Sequence, residues 1–127
     1  MLDTDICSFA IRGGSARLRE MLSWHSDCLC VSAVTAAELR FGARKRGSRK
    51  ISNAVASLLS LLEIVPWDDG AATCYAGLRK DLEDSGQPIG HADMMIAASA
   101  LATGSVVVTH NTAHFSRIEK LAIEDWA

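Results

Sequence analysis

Three acids and one amide stand where short apolar segments stop. Asp3 follows Met1 and Leu2. Glu38 sits in AAELRF, about two helical turns after the apolar stretch that ends near Ser32. Asp93 opens the apolar run ADMMIAASALA, and Asn111 follows SVVVT almost directly. Two carboxylates about 4 Å apart repel by roughly 4 kcal/mol at an effective dielectric near 20. Three in one pocket would not all stay ionised without a cation. Hard oxygen donors suit Mg²⁺ or Mn²⁺, ions that activate water and stabilise a leaving oxygen in phosphoryl chemistry. Each acid alone is more ordinarily a helix cap or a surface charge, so the joint placement carries the reading.

The elements that must position these residues alternate short apolar strands with helical segments. Leu29 to Ser32 reads as a strand running into a helix over Thr35 to Ala43, capped by Ser32 or Thr35. Lys50 to Leu62 repeats apolar residues at helical spacing. Glu63 to Pro66 is β-like, and Asp68 to Ser85 is a long helix closed by the turn signal SGQP. His91 to Thr103 is an apolar helix stopped by Gly104. Ser105 to Thr109 is a β-branched strand of the kind buried on both faces, and Ala122 to Glu124 is a last short strand. This alternation implies parallel β-α-β units in one α/β domain spanning residues 1–127. Ligands of such sheets bind beyond the carboxyl ends of the strands, where Asp3, Glu38, Asp93 and Asn111 can converge.

Composition narrows the classes. At 127 residues and 49% apolar content, the chain can bury one core. It has no uncharged apolar run of membrane-spanning length and no secretory signal pattern, so a cytoplasmic location without a membrane partner is expected. Cys7, Cys28, Cys30 and Cys74 show no zinc-type spacing and read as buried, reduced thiols. Net charge is −2, which does not mark a generic nucleic-acid binder. The charge is uneven, however. Arg40, Arg44, Lys45, Arg46, Arg49 and Lys50 lie together with no acid among them. That segment is either a solvated loop between helices or a contact for phosphate oxygens.

LDTDICSF, VSAVTAAELRFGA, PIGHADMMIAA, VVVTHNTAHF and IEDWA, in that order along nearly the whole chain, resemble a PIN-domain ribonuclease of the VapC toxin type. The resemblance implies an α/β/α sandwich with a short, mostly parallel central sheet. It implies Mg²⁺- or Mn²⁺-dependent endonucleolytic cleavage of RNA, leaving a 5′-phosphate and a 3′-hydroxyl. By position, Asp3, Glu38 and Asp93 match the family's three core acids. Asn111 falls where many members carry a fourth aspartate, which puts a second metal in question. Asp5 matches a position more often asparagine. Thr4 and Ser32 match small hydroxyl positions that support the pocket. Arg40, Arg44, Lys45, Arg46 and Arg49 are then candidate RNA contacts. The resemblance also implies a VapB-type antitoxin in a hetero-oligomer, with Ile6, Phe9, Ile11 and Leu18 as either groove residues or core packing, and a homodimer. The ICSF and AELRFGA segments resemble a branch that cuts initiator tRNA, so a tRNA anticodon stem-loop is the expected substrate.

Two other classes fit parts of the chain. Asp3-Thr4-Asp5 is a D-x-D after a strand, as in haloacid-dehalogenase-like phosphatases, but Cys7 stands where that family prefers threonine. A catalytically inactive PIN-like RNA-binding module would share the fold, yet all three acids are present. His110 and His114 are four apart, a spacing suited to zinc on a helix, but no third ligand is evident. They read as surface or supporting residues. His91 either touches substrate or simply starts a helix. Trp24, Trp67 and Trp126 read as core or edge packing.

Overall fold

A computed structural model describes residues 1–127. Its strands are β1 (Cys30–Ser32), β2 (Glu63–Val65), β3 (Val107–Val108) and β4 (Ile123–Glu124). Two parallel pairs, β1 with β2 and β3 with β4, flank the first residues of the chain. Leu2 forms a parallel bridge to Val108. Around it, the Val108 amide donates to Met1 O at 2.8 Å, the Asp3 amide to Val108 O at 3.0 Å, and the Leu2 amide to Cys30 O at 2.9 Å. Met1–Asp3 thus joins the two pairs through the middle, in the order β2, β1, Met1–Asp3, β3, β4.

Side chains alternate across this short sheet, as the period of two demands. Met1, Cys30 and Val107 enter one apolar core. Leu2, Val31 and Val108, each one residue later, enter the other. The first core lies under α5 (Asp69–Asp84) and α6 (His91–Thr103). The second lies under α1 (Thr4–Ile11), α2 (Ala16–Trp24), α3 (Ala33–Arg46) and α4 (Arg49–Ser60). A short α7 (Thr112–Phe115) follows β3 and buries Phe115 completely. The expected parallel α/β/α sandwich is therefore present.

Helix ends follow local chemistry. Asp3, Ser15, Ser48 and Asp68 cap α1, α2, α4 and α5 by accepting an amide proton inside the first turn. Gly104 ends α6 at φ 66°, where a side chain would be strained. α6 buries Met94 and every residue from Ile96 to Ala100. Its small alanines let it lie close against α5 and the sheet.

Several sequence expectations need correction. The segment from Arg40 to Lys50 is not a loop: α3 runs on to Arg46, Gly47 closes it, and α4 begins at Arg49. α1 and α2 are helices that the strand-helix alternation did not predict. Of the two readings of Ile6 and Leu18, groove or core, the structure selects core, since both are fully buried. Cys28 is exposed rather than buried, and all four thiols are free. Trp24 is 79% exposed and packs in no core. No helix is long and apolar enough to cross a membrane.

Candidate functional site

Three neighbouring strands each end in a buried polar residue: Asp3, Ser32 and Thr109. Alternation turns all three toward the α6 layer. Ser32 caps α3 by accepting the Val34 amide proton and also accepts from the Ser99 hydroxyl of α6 at 3.2 Å. Ser32 thus pins β1 to α6 and fixes where α3 starts. Thr109 accepts the Asn111 amide proton at 2.8 Å, and its hydroxyl hydrogen-bonds Asp3.

Asp3 is 2% exposed, and its Oδ1 accepts the Ile6 amide proton at 2.8 Å. Burial pushes its carboxyl up to about 6 from an ordinary 3.8, against the lowering effect of Thr109 and Ile6. The charges of Asp5 and Asp93 push in the same direction as burial. Asp93, in the first turn of α6, is raised chiefly by burial and further by the charges of Asp5 and Glu38, while His114 pulls it down. Burial and the charge of Asp3 also push the Cys7 thiol up to about 12, so it is an inert neighbour.

Glu38 comes from the other layer. It lies on an exposed stretch of α3, and the Thr4 hydroxyl donates to its Oε1 at 2.6 Å. The Thr35 hydroxyl stands 3.3 Å from that of Thr4. Asp93 has a tether of its own. His114 Nδ1 lies 3.8 Å from Asp93 Oδ2 and 2.8 Å from the Asn111 side-chain amide. Asn111 therefore sits beside the acids but is engaged with His114. Asp5 is exposed on the first turn of α1, near enough to burden both Asp3 and Asp93.

These placements bring Asp3, Glu38, Asp93 and Asp5 to one edge of the sheet, with Thr4, Ser32 and Asn111 around them. The acids do not close into a ready-made cage, because no three Asp, Glu, His or Cys side chains surround a common point. The carboxyls of Asp3 and Asp93 are raised first by burial and then by the charges of the acids around them. Hard oxygen donors that disfavour one another's ionisation fit a divalent cation completed by water.

The basic segment divides. Arg46 lines the same cleft as Thr4 and Glu38, a space of about 200 Å³ between α1, α3 and α4. Arg40 and Arg44 line a different cleft, between α3 and α4. Lys45 and Arg49 are exposed and line neither. Arg12, absent from the sequence-based candidates, lines the Glu38 cleft and a second one beside Asp5. Its only sequence signal is a cation at the end of ICSFAIR. Thr109 and Ser99 were likewise absent from those candidates, whereas His114, read as a surface or supporting residue, stands behind Asp93. His91 is held by the Tyr75 hydroxyl 3.1 Å from its Nδ1, on the α5 side. His110 pairs with Asp125 at 3.1 Å. Trp126 is buried against the His25 ring, and the Trp67 indole donates to Met95 O.

Comparison with known proteins identifies the fold and the family. The PIN domain family model matches residues 1–121. The tRNA(fMet)-specific endonuclease VapC of Shigella flexneri is 38% identical, covering 100% of this chain and 97% of that protein. Ribonuclease VapC2 of Rickettsia felis is 33% identical, covering 99% and 96%. The crystal structure of VapBC2 from Rickettsia felis bound to a promoter DNA fragment superposes with a TM-score of 0.92 at 32% identity, over 100% of this chain and 98% of that one. DNA-bound VapBC from Salmonella typhimurium also gives 0.92, at 37% identity, over 100% and 97%. A haloacid-dehalogenase-like phosphatase is thereby excluded. A sheet whose strand ends gather acids, matched over its whole length by ribonucleases, places this chain in the PIN-domain family as a VapC-type ribonuclease toxin of a VapBC system.

Proposed function

We propose that this ribonuclease cuts RNA with one divalent cation, Mg²⁺ or Mn²⁺, held by Asp3, Glu38 and Asp93. The observation that carries this is the gathering of Asp3, Glu38 and Asp93 at one edge of the sheet, with Thr4 bonded to Glu38, the Ile6 amide bonded to Asp3, and the carboxyls of Asp3 and Asp93 raised first by burial and then by neighbouring acids. When bound, the ion would supply positive charge against the scissile phosphate and make a nearby water acidic.

The chain's own residues do the positioning. Asp3 is immobilised by the Ile6 amide and the Thr109 hydroxyl. Thr4 aims Glu38 across from α1. The Asn111–His114 pair stands behind Asp93. Asn111 adds no charge, which favours one cation over two. Arg46, beside Glu38, is placed to hold an RNA phosphate.

The substrate reading is a tRNA anticodon stem-loop, most specifically that of initiator tRNA. Its support is the 38% identity to VapC proteins named as tRNA(fMet)-specific endonucleases in Shigella flexneri and, over 99% of this chain, in Salmonella typhimurium. The partner is read as a VapB-type antitoxin, supported by the VapBC neighbours, and the assembly is read as a hetero-oligomer. The toxin half is read as a homodimer of single 1–127 domains. The experiment is to purify the chain free of antitoxin and incubate it with initiator tRNA and other tRNAs, with Mg²⁺ or with EDTA. Cleavage in the initiator anticodon loop that needs Mg²⁺ and fails with Asp93→Asn is the expected result. Undiminished cleavage by Asp93→Asn would sink the assignment.

A further inference from the structure

Beside the acids, on the side away from Glu38, a cleft of about 600 Å³ opens between α1 and the turn after β3. That volume is within the range of about 300–1,000 Å³ typical of small-molecule sites. One face of α1 forms one wall: Asp5, Ser8, Phe9 and Arg12, at helical spacing and spanning about 10 Å. His110, Asn111 and Ala127 form the facing wall.

Each wall offers distinct chemistry. Phe9 is half-buried, so its ring is held by the core while part of it meets the cleft. The His110 ring is 73% exposed, but Asp125 grips its Nδ1 at 3.1 Å and sets its orientation. Arg12 is exposed, and no carboxylate lies within ion-pair distance of it. It also borders the Glu38 cleft, so one free cation stands between the two spaces flanking the acids. Two aromatic faces beside a free guanidinium are what an unpaired nucleotide needs: planes for the base and a charge for its phosphate.

We propose that this cleft is a nucleotide subsite. It takes the RNA nucleotide next to the scissile phosphate, base against Phe9 and His110, phosphate against Arg12. The inference rests on the RNA-cleavage reading above, deepening it from a metal centre to a strand path over α1. Asp5 and Asn111, at the end nearest the acids, make the subsite continuous with them.

The probe is a pool of random single-stranded RNA octamers carrying 4-thiouridine. It is bound to full-length Asp93→Asn protein with Mg²⁺, irradiated, and mapped by mass spectrometry. Crosslinks at Phe9 or His110 that fall about tenfold with Arg12→Gln, and less with Arg12→Lys, are expected. In the otherwise unaltered enzyme, Phe9→Leu should raise KM about tenfold with kcat within about threefold, the size of one lost stacking contact. Arg12→Gln, on an exposed side chain, keeps the test readable if Phe9→Leu does not fold. Crosslinks confined to other surfaces overturn the subsite. So does a pair of variants that cleave RNA normally but no longer bind the antitoxin, which would make the cleft a protein contact. Failure of the nuclease reading shows separately, as RNA cleavage that Asp93→Asn does not remove.

Discussion

The Thr4 hydroxyl donates to Glu38 Oε1 at 2.6 Å across 34 residues of sequence. A side chain on α1 therefore aims an acid that α3 supplies, and this bond links the two walls of the Glu38 cleft. A hydrogen bond to a charged group contributes about 1.5–3 kcal/mol. Thr4→Val should lower kcat/KM about tenfold and raise the Mg²⁺ concentration needed for half-maximal cleavage. Thr4→Ser should restore both. Equal activity of Thr4→Val and the unaltered enzyme would mean that Glu38 needs no aiming.

Asp3 yields a prediction whose sign is fixed by its raised carboxyl. Its value is about 6 in the fold against an ordinary 3.8. The folded state binds the proton more tightly, so ionisation carries a penalty. That penalty is absent below about pH 4, grows as pH rises through about 6, and is constant above. Asn keeps the N-cap of α1. Asp3→Asn should therefore be more stable than the parent in EDTA at pH 7.5, by on the order of 3 kcal/mol, with the difference vanishing near pH 4. Urea melts at both pH values measure it. A parent as stable as Asp3→Asn at pH 7.5 would refute the burial account.

The same variant separates stability from cation binding. Mg²⁺ binds the folded acids and should raise the melting temperature of the parent at pH 7.5. Asp3→Asn and Asp93→Asn should show little rise, and each should cleave RNA at least ~100-fold more slowly. EDTA should abolish cleavage by the parent, and Mn²⁺ should restore it. Cleavage that persists in EDTA would remove the cation from the mechanism.

The divided basic segment predicts divided phenotypes. Arg46 shares the cleft of Glu38, whereas Arg40 and Arg44 face another space. Arg46→Gln should raise KM severalfold and reduce the salt slope of RNA binding by about 1. Arg40→Gln and Arg44→Gln should leave cleavage within about twofold. Filter binding at several salt concentrations distinguishes them. The reverse ranking would move the RNA path to the α3–α4 cleft.

Deep packing gives a control that is purely structural. Phe115 is fully buried under the first core. Phe115→Ala should cost about 3–5 kcal/mol, read as a lower urea midpoint with no change in the Mg²⁺ dependence of the remaining activity.

What the sequence made legible was whatever its composition imposed. α6 and β3 were readable because alanine-rich and β-branched runs have few other outcomes. The convergence of Asp3, Glu38 and Asp93 followed from the strand-end rule once the alternation was seen. α1 was not readable, because TDICSFAI has weak helix formers and starts two residues after the single bridge at Leu2. Asp3 both bonds Val108 through its amide and caps that helix through its side chain, and the first of these partners is remote in sequence. α2 buries only Leu18 and shows little apolar face. Thr109, Ser99 and Arg12 stayed hidden for one reason. Their partners lie on other elements, and no spacing along the chain records that proximity. The basic run misled for the converse reason, since residues adjacent in sequence point around a helix into separate clefts.

Met1–Asp3 lies between β1 and β3, and the Asp3 amide donates to Val108 O, 105 positions on. During synthesis, the first residues leave the ribosome long before β3 and β4 exist. Asp3 then has neither its flanking strand nor Thr109, and Asp93 lacks His114. Fragments ending before residue 107 should leave RNA intact. A site that needs residue 3 together with residues 108–114 is therefore expected to stay silent in a nascent chain until both segments have been made.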